Sequence, residues 1–486
     1  MIKRLWYFVV VILAVSGTVS AQSERTLFTF SNAESGFSEK SSIASVEERV
    51  IVFDSSRFAE SSDAIYIPLM DGKTYRANAT SIETRAMDDR TWRGKLVHGK
   101  NENDVILTFH KGYVSGLIYA PDAVYEIIPR GNVHILARLD QVLFPECGGE
   151  VQSEEKPTLP EVAAPQVLVD SGDRIDVLVV YTTATKNFLG GDAQARAHAQ
   201  ASIDATNTAY INSRIRQRVR MVHSEEFVYT ETSSASTDLS NLRNNAGIQA
   251  LRNTHNADLV AKISEASGVC GIGYLMGSQA GNQNNGFTVT ARSCAVGNLS
   301  FAHELGHNMG SQHNPENGSG ATFSYGYGHY VNGSYRTVMS YVDPCTNGCA
   351  RRPYFSNPTV SFNGFPTGVD NARDNVRSIN RTADAISNYR ASGSSLMLQT
   401  YFDGGILPRG IRRTLTWQSE NVTGNVRIEM TRDDGLNWQT IIASTPNDGS
   451  EPITIWGPAT KTARIRIASI DSPHVTDTSI GAVAIR

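Results

Sequence analysis

The segment His303-Glu304-Leu305-Gly306-His307-Asn308-Met309-Gly310-Ser311-Gln312-His313 holds the densest chemistry in the chain. Set on a helix, His303 and His307 fall one turn apart on the same face, so both imidazoles can reach one cation. Gly310 permits the left-handed backbone that ends a helix and swings His313 in as a third ligand. Three imidazoles suit Zn²⁺ and leave its fourth position to water. Glu304 lies beside them, placed to take a proton from that water without being a ligand. The pattern predicts one catalytic Zn²⁺ on His303, His307 and His313, with Glu304 as general base. By composition the His-Glu-x-x-His core arises by chance in roughly 1% of such chains, and the added Gly310 and His313 lower that to roughly a few in 10⁵. Incidental histidines on a surface helix are thereby set aside.

The surrounding pattern supplies elements to position these groups. From Arg174 onward it reads as α/β: an apolar run at 177–181 marks a strand buried on both faces. An Ala-rich helix is expected over 192–213, a strand over 219–229, a helix over 237–253 and a strand over 258–263. Strand-like runs at 269–275 and 287–293 lead into the histidine helix. Ala372, Val376, Ile379, Ala383, Ile386 and Tyr389 recur at helical spacing and predict an amphipathic closing helix. Upstream, runs at 64–69, 104–109, 113–119, 124–128 and 133–136 predict a β-rich unit over 22–148. Residues 151–172, with Pro157, Pro160 and Pro165, read as an exposed linker open to cleavage. Beyond Gly393, runs at 412–417, 425–430, 438–443, 454–456 and 462–468 separated by turn clusters predict a β-sandwich that looks immunoglobulin-like.

A chain of 486 residues has room for roughly two to four folded units. With 40% hydrophobic and 19% charged residues it can bury real cores, which excludes dominant disorder. A net charge of −4 offers no basic field for nucleic acid or anionic lipid. Lys3 and Arg4, the apolar run 5–15 and the small residues Ser16, Gly17, Ser20 and Ala21 read as a secretory signal ending at residue 21. That run is too short to span a bilayer. The expected location is extracellular, where disulfides persist. Of five cysteines, Cys270, Cys294, Cys345 and Cys349 allow three pairings; the local one, Cys270 with Cys294 and Cys345 with Cys349, is preferred, leaving Cys147 over. No calcium-binding nonapeptide repeat is present, so structural calcium is left open without being indicated.

Thr337-Val338-Met339-Ser340-Tyr341 follows the histidines at the distance of a methionine turn. Together with Cys270-Gly271-Ile272-Gly273-Tyr274-Leu275 and Tyr354-Phe355-Ser356-Asn357-Pro358, these segments resemble the metzincin metalloendopeptidases, and within them the reprolysin-like bacterial enzymes of the peptidyl-Asp metallopeptidase type. One departure is Asn314, where reprolysins usually carry Asp. The resemblance implies a metzincin catalytic domain over 173–393, an α/β (α+β) fold with a twisted mixed sheet and a zinc-binding helix. A propeptide over 22–172 and the sandwich over 394–486 complete the expected division. Met339 is implied to support the site. Tyr341 is implied either to bind the metal or steady an oxyanion, or to be structural. Gly271–Leu275 is implied to dock extended substrate by strand addition, the alternative being an ordinary strand. Cys147 resembles a cysteine switch, its thiolate excluding catalytic water until the segment is removed, the alternative being a free or mispaired thiol. Trp92-Arg93-Gly94 and Gly116-Leu117-Ile118-Tyr119 also look like reprolysin propeptide. The implied activity is hydrolysis of protein or peptide substrates by a secreted, monomeric enzyme, with preference for Asp after the scissile bond. Arg336, Arg351 and Arg352 are candidates for receiving that carboxylate. Broad specificity, or a surface-binding protein using the fold as scaffold, is the alternative.

Overall fold

The structure, a computed structural model, describes residues 26–486 apart from 33–35, 55–62, 99–102, 122, 153–169, 266–267, 347, 401–405, 434, 436, 474 and 480–482. The leader expected at 1–21 and most of the expected linker lie outside the described residues.

Nine antiparallel strands form the first sheet: β1 (Phe28–Phe30), β2 (Ser45–Phe53), β3 (Ala64–Pro68), β4 (Thr74–Ala86), β5 (Asp89–Leu96), β6 (Asp104–His110), β7 (Tyr113–Tyr119), β8 (Val124–Arg130) and β9 (Val133–Leu139). Their order is β1-β2-β9-β8-β7-β6-β5-β4-β3, and a parallel bridge from Thr26 to Tyr66 brings the two margins together. Tight turns make the meander possible; between β6 and β7, Lys111 and Gly112 both take positive φ, the geometry of a two-residue hairpin. Ile67, Trp92, Leu107, Tyr125 and Leu136 fill the interior.

The second sheet combines β10 (Glu150–Gln152), β11 (Arg174–Thr182), β12 (Arg218–Phe227), β13 (Leu259–Ser264), β14 (Gly271–Leu275) and β15 (Phe287–Ala291) in the order β10-β14-β15-β13-β11-β12. Strands β12, β11, β13 and β15 run parallel, and β14 is antiparallel to β15. The expected mixed sheet is present. Residues 151–152, read from composition as the start of the linker, instead pair with β14 in β10. The helix expected over 237–253 is two helices, α2 (Ala235–Asn244) and α3 (Ala246–Thr254). Asn245 divides them because its extended backbone ends the first and its side chain caps the second, accepting from Ile248 N–H at 3.0 Å.

Helix α1 (Asp192–Ser213) is buried on nearly every side, including Gln200, Asp204 and Thr208. An Ala-rich helix with no apolar stripe needs partners on two faces. One face lies on β12 of the second sheet, the other on β6 and β7 of the first. Polar groups bridge this seam: Asp204 accepts from the hydroxyls of Thr91 and Thr108 and from Arg93 at 3.2 Å, and Arg93 Nε donates to Thr208 at 3.1 Å.

Glu126 on β8 is also buried at the junction of the two sheets, against Gly297, and burial pushes its carboxyl up to about 8. A carboxyl raised from 4.5 contributes stability that is complete below 4.5 and is lost as pH climbs to about 8. Between those limits stability should fall one proton more steeply in the wild type than in Glu126→Gln, about 1.4 kcal/mol per pH unit. Guanidinium unfolding of both chains from pH 4 to 9 checks this; parallel curves would refute it.

The last unit holds two sheets, one of Ser395–Leu398, Arg412–Glu420 and Ser450–Thr454, the other built mainly from Asn425–Thr431, Trp438–Pro446 and Thr460–Ser469. Leu415, Trp417, Ile428, Ile453, Ile465 and Ile467 share the core between them. The strand expected at 454–456 comes earlier, at Ser450–Thr454, because the turn ends at Gly449 with φ +90° and Ser450 pairs at once with Thr416. No helix among the described residues is long and apolar enough to cross a membrane.

Candidate active site

Helix α4 (Ser300–Asn308) carries His303, Glu304 and His307 and is buried along its whole length. It lies under β14 and β15, and the approach is close: a Cβ on Gly271 would run into the Glu304 carboxylate, and one on Gly273 would crowd the Glu304 backbone oxygen. The helix ends as its sequence predicts. Gly310 takes φ +81°, the chain turns, and His313 comes back to face the helix.

His303 Nδ1–H donates to the Val338 carbonyl and His307 Nδ1–H to the Ser311 carbonyl, each at 2.9 Å. A carbonyl can only accept, so both Nε2 atoms present lone pairs. These lone pairs point at a common centre: His313 Nε2 is 3.0 Å from His307 Nε2 and 3.1 Å from His303 Nε2. Burial pushes the His307 ring down to about 4, and burial with the neighbouring His307 pushes His313 to about 2, so all three are neutral near pH 7. The His303 and His307 lone pairs thus face one small space beside His313 Nε2, which a cation would bridge. Bonds of ~2.0–2.1 Å from nitrogen to a tetrahedral ion place ligand nitrogens at about this separation. The residues therefore fit a metal.

Cys147 completes the cluster. Its sulfur, with the three imidazoles, forms a group whose ligand atoms all lie within 4.8 Å of one another. Cys147 Sγ is 3.8 Å from His307 Nε2 and 3.6 Å from Glu304 Oε2. The Glu304 carboxyl is pushed up to about 8 by burial, and its Oε1 has no hydrogen-bond partner among the described residues. Tyr341 leans over His313 with ring centroids 4.3 Å apart and donates its hydroxyl to the Cys147 carbonyl at 3.1 Å. Met339 packs beneath the helix where Gly306 leaves room for its sulfur. Asn314 accepts from Tyr341 N–H at 3.0 Å and donates to Glu316 at 2.9 Å. An amide does both, whereas an ionised Asp would have no proton for Glu316.

Disulfides join Cys270 to Cys294 and Cys345 to Cys349, the local pairing. Of the three arginines singled out from sequence, Arg336 and Arg351 lie together behind Ser340, while Arg352 turns away to cover the Tyr119 and Phe362 rings. Gly271 and Gly273 were placed in a substrate-docking strand, but not their part in the close strand–helix approach, and Glu146, whose carboxylate stands 4.0 Å from Arg351, was missed. The alternating glycines were a visible signal of close backbone approach; nothing local marks Glu146.

Residues 173–373 match the model of the metallopeptidase family M12B, reprolysin-like. A peptidyl-Asp metalloendopeptidase of Xanthomonas campestris pv. campestris is 30% identical over 372 residues, covering 72% of this chain and 87% of that relative. The chain belongs to the reprolysin-like metallopeptidases. A second peptidyl-Asp metalloendopeptidase, from Stenotrophomonas maltophilia, is 31% identical over 303 residues, covering 59% of this chain and 71% of its own length. One from Pseudomonas aeruginosa is 31% identical over 249 residues, 44% of this chain and 40% of the relative. As a reprolysin-like metallopeptidase the chain is a metalloendopeptidase, and its substrates are proteins or peptides. The aligned span with the first relative is longer than the family match, so the likeness extends beyond 173–373.

Proposed function

We propose that this chain is a secreted, monomeric zinc endopeptidase made as a latent precursor, cutting peptide bonds on the amino side of aspartate. The observation that carries the reading is the convergence of three imidazole nitrogens beside a buried carboxylate and one free thiol. His303, His307 and His313 hold the ion, with Val338 and Ser311 carbonyls fixing two of the rings. Zinc bound there supplies a Lewis acid that acidifies water and polarises the scissile carbonyl. Glu304 takes the proton from the attacking water and returns it to the leaving nitrogen. Strand β14 presents its backbone to an extended peptide, and its glycines keep that peptide close to the carboxylate. Tyr341 stands where its hydroxyl, once freed from the Cys147 carbonyl, can donate to the developing oxyanion. Residues 22–172 act as the propeptide, 173–393 as the catalytic unit and 394–486 as an appended sandwich. The Asp preference is carried by the names of the relatives.

A binding scaffold has no use for a buried carboxylate with an unpartnered oxygen, so the enzymatic reading is favoured over it. Chelation should abolish casein hydrolysis by the activated enzyme, and added zinc should restore it. His307→Ala should lower zinc affinity by more than ~10²-fold, since outer-shell partners alone are worth ~10–100-fold. Metal content measured by mass spectrometry provides a readout independent of activity. Full occupancy of the His307→Ala protein would sink the assignment.

A further inference from the structure

Residues 146–148 and 150–152 run along β14 on either side of Gly149, which takes φ +87°. The Glu146 carbonyl accepts Cys270 N–H at 3.0 Å, Gly148 N–H donates to the Gly271 carbonyl at 2.7 Å, and Glu150 then pairs with Gly273 in parallel register. Neighbouring side chains on an extended path face opposite ways. Cys147 turns its sulfur to the histidines. Glu146 turns its carboxylate the other way, where Oε1 accepts Val342 N–H at 2.8 Å and Oε2 stands 4.0 Å from Arg351 Nη2.

Behind that carboxylate lie two guanidinium groups, Arg351 at 2% exposure and Arg336 at 1%. Both donate to the Ser340 carbonyl, and their remaining partners are the Asn298 and Cys349 backbone carbonyls and the Asn298 amide oxygen, all uncharged. Arg351 Nε has no partner among the described residues. Two buried cations side by side call for an anion, and among the described residues Glu146 is the one carboxylate within ion-pair distance of either. When residues 146–152 leave, the pair is left beside the catalytic cleft without its counter-charge. The neighbourhood is shared with Glu304, whose carboxyl feels the Arg351 charge.

We infer that the Arg351–Arg336 pair is the pocket that receives a substrate aspartate next to the scissile bond, and that Glu146 fills it in the latent chain as an internal substitute for that side chain. The inference rests on the endopeptidase reading above and adds to it the residues that set specificity. Arg352, stacked on aromatic rings away from the cleft, has no part in it.

The test uses enzyme activated from the full-length chain and two peptides differing only in Asp or Asn after the scissile bond. In the wild type kcat/KM should favour Asp, and Arg351→Met should lower the Asp/Asn ratio ~10²-fold, as expected for loss of a buried charge partner. A ratio is independent of how much variant folds. Arg351→Lys should keep part of the preference, as a point charge without the guanidinium fork. In a second arm, a peptide of residues 144–152 carrying Cys147→Ser should inhibit wild-type enzyme at least ~10-fold more tightly than the same peptide with Glu146→Gln. No Asp preference in the wild type would remove the specificity reading itself. A wild-type preference that survives Arg351→Met unchanged, or equal inhibition by the two peptides, would overturn this inference and leave the endopeptidase reading standing.

Discussion

Glu304→Gln should cut the rate of peptide hydrolysis by ~10²–10⁴-fold, the range a positioned general base contributes, while the protein keeps its metal. Glutamine matches glutamate in shape, so the helix and its contacts with Gly271 and Gly273 need not move. What it lacks is a basic oxygen. In the native site the carboxylate is fully buried, within reach of the cluster centre, and holds Oε1 unpaired. It is the group best placed to accept a proton from an attacking water. The three nitrogens proposed to hold the ion come from other residues, so zinc content should match the wild type. Hydrolysis of a fluorogenic peptide, together with zinc per mole of protein, separates the two quantities. A Glu304→Gln enzyme working within a factor of ten of the wild type would show that the base is elsewhere.

The second large effect concerns Cys147. Its sulfur lies 3.6 Å from Glu304 Oε2 and 3.8 Å from His307 Nε2, in the space the attacking water of the proposed mechanism would need. Burial, with the Glu304 charge second, raises the thiol well above its usual range; a cation held by the three imidazoles would act the other way and favour thiolate. Replacing it by alanine removes one of the bonds holding residues 146–152 in the cleft. If that bond is worth ~3 kcal/mol, the open fraction rises ~10²-fold. Uncut Cys147→Ala precursor should therefore hydrolyse a short peptide ~10²-fold faster than uncut wild type. Because β10 still lies on β14 and Glu146 still fills its pocket, activity should remain below that of the processed enzyme. Intact mass shows that the sample is uncut. A folded but silent Cys147→Ala precursor would count against the switch.

The parts of this molecule legible in its sequence are those governed by local rules. One helical turn relates His303 to His307, and a left-handed glycine turns His313 back toward them. Both disulfides are short-range, and the apolar run in β11 has the length and composition of a doubly covered strand. What stayed hidden depends on contacts far apart in the chain. Glu146 meets Val342 across 196 positions. The three residues of β10 have no strand signal of their own and gain their conformation by pairing with β14. Helix α1 reads as a helix, but its lack of an apolar stripe gives no hint that its second face belongs to the first sheet. Asn245 shows a local conflict: propensity favoured one long helix, and a side-chain cap won.

The parallel docking of Glu150–Gln152 has a consequence for the colloidal behaviour of the protein. An unpaired strand at a sheet margin invites other chains to continue the sheet, the first step toward fibrils. With residues 150–152 docked, the margin of β14 is covered, and a strand of only three residues becomes the outer one. Were that segment removed as proposed, the bare margin of β14 would be only five residues long, with glycine at its first and third positions, a poor template for stacking. The missing side chains that let this strand lie near the carboxylate would thus also help keep a processed enzyme dispersed.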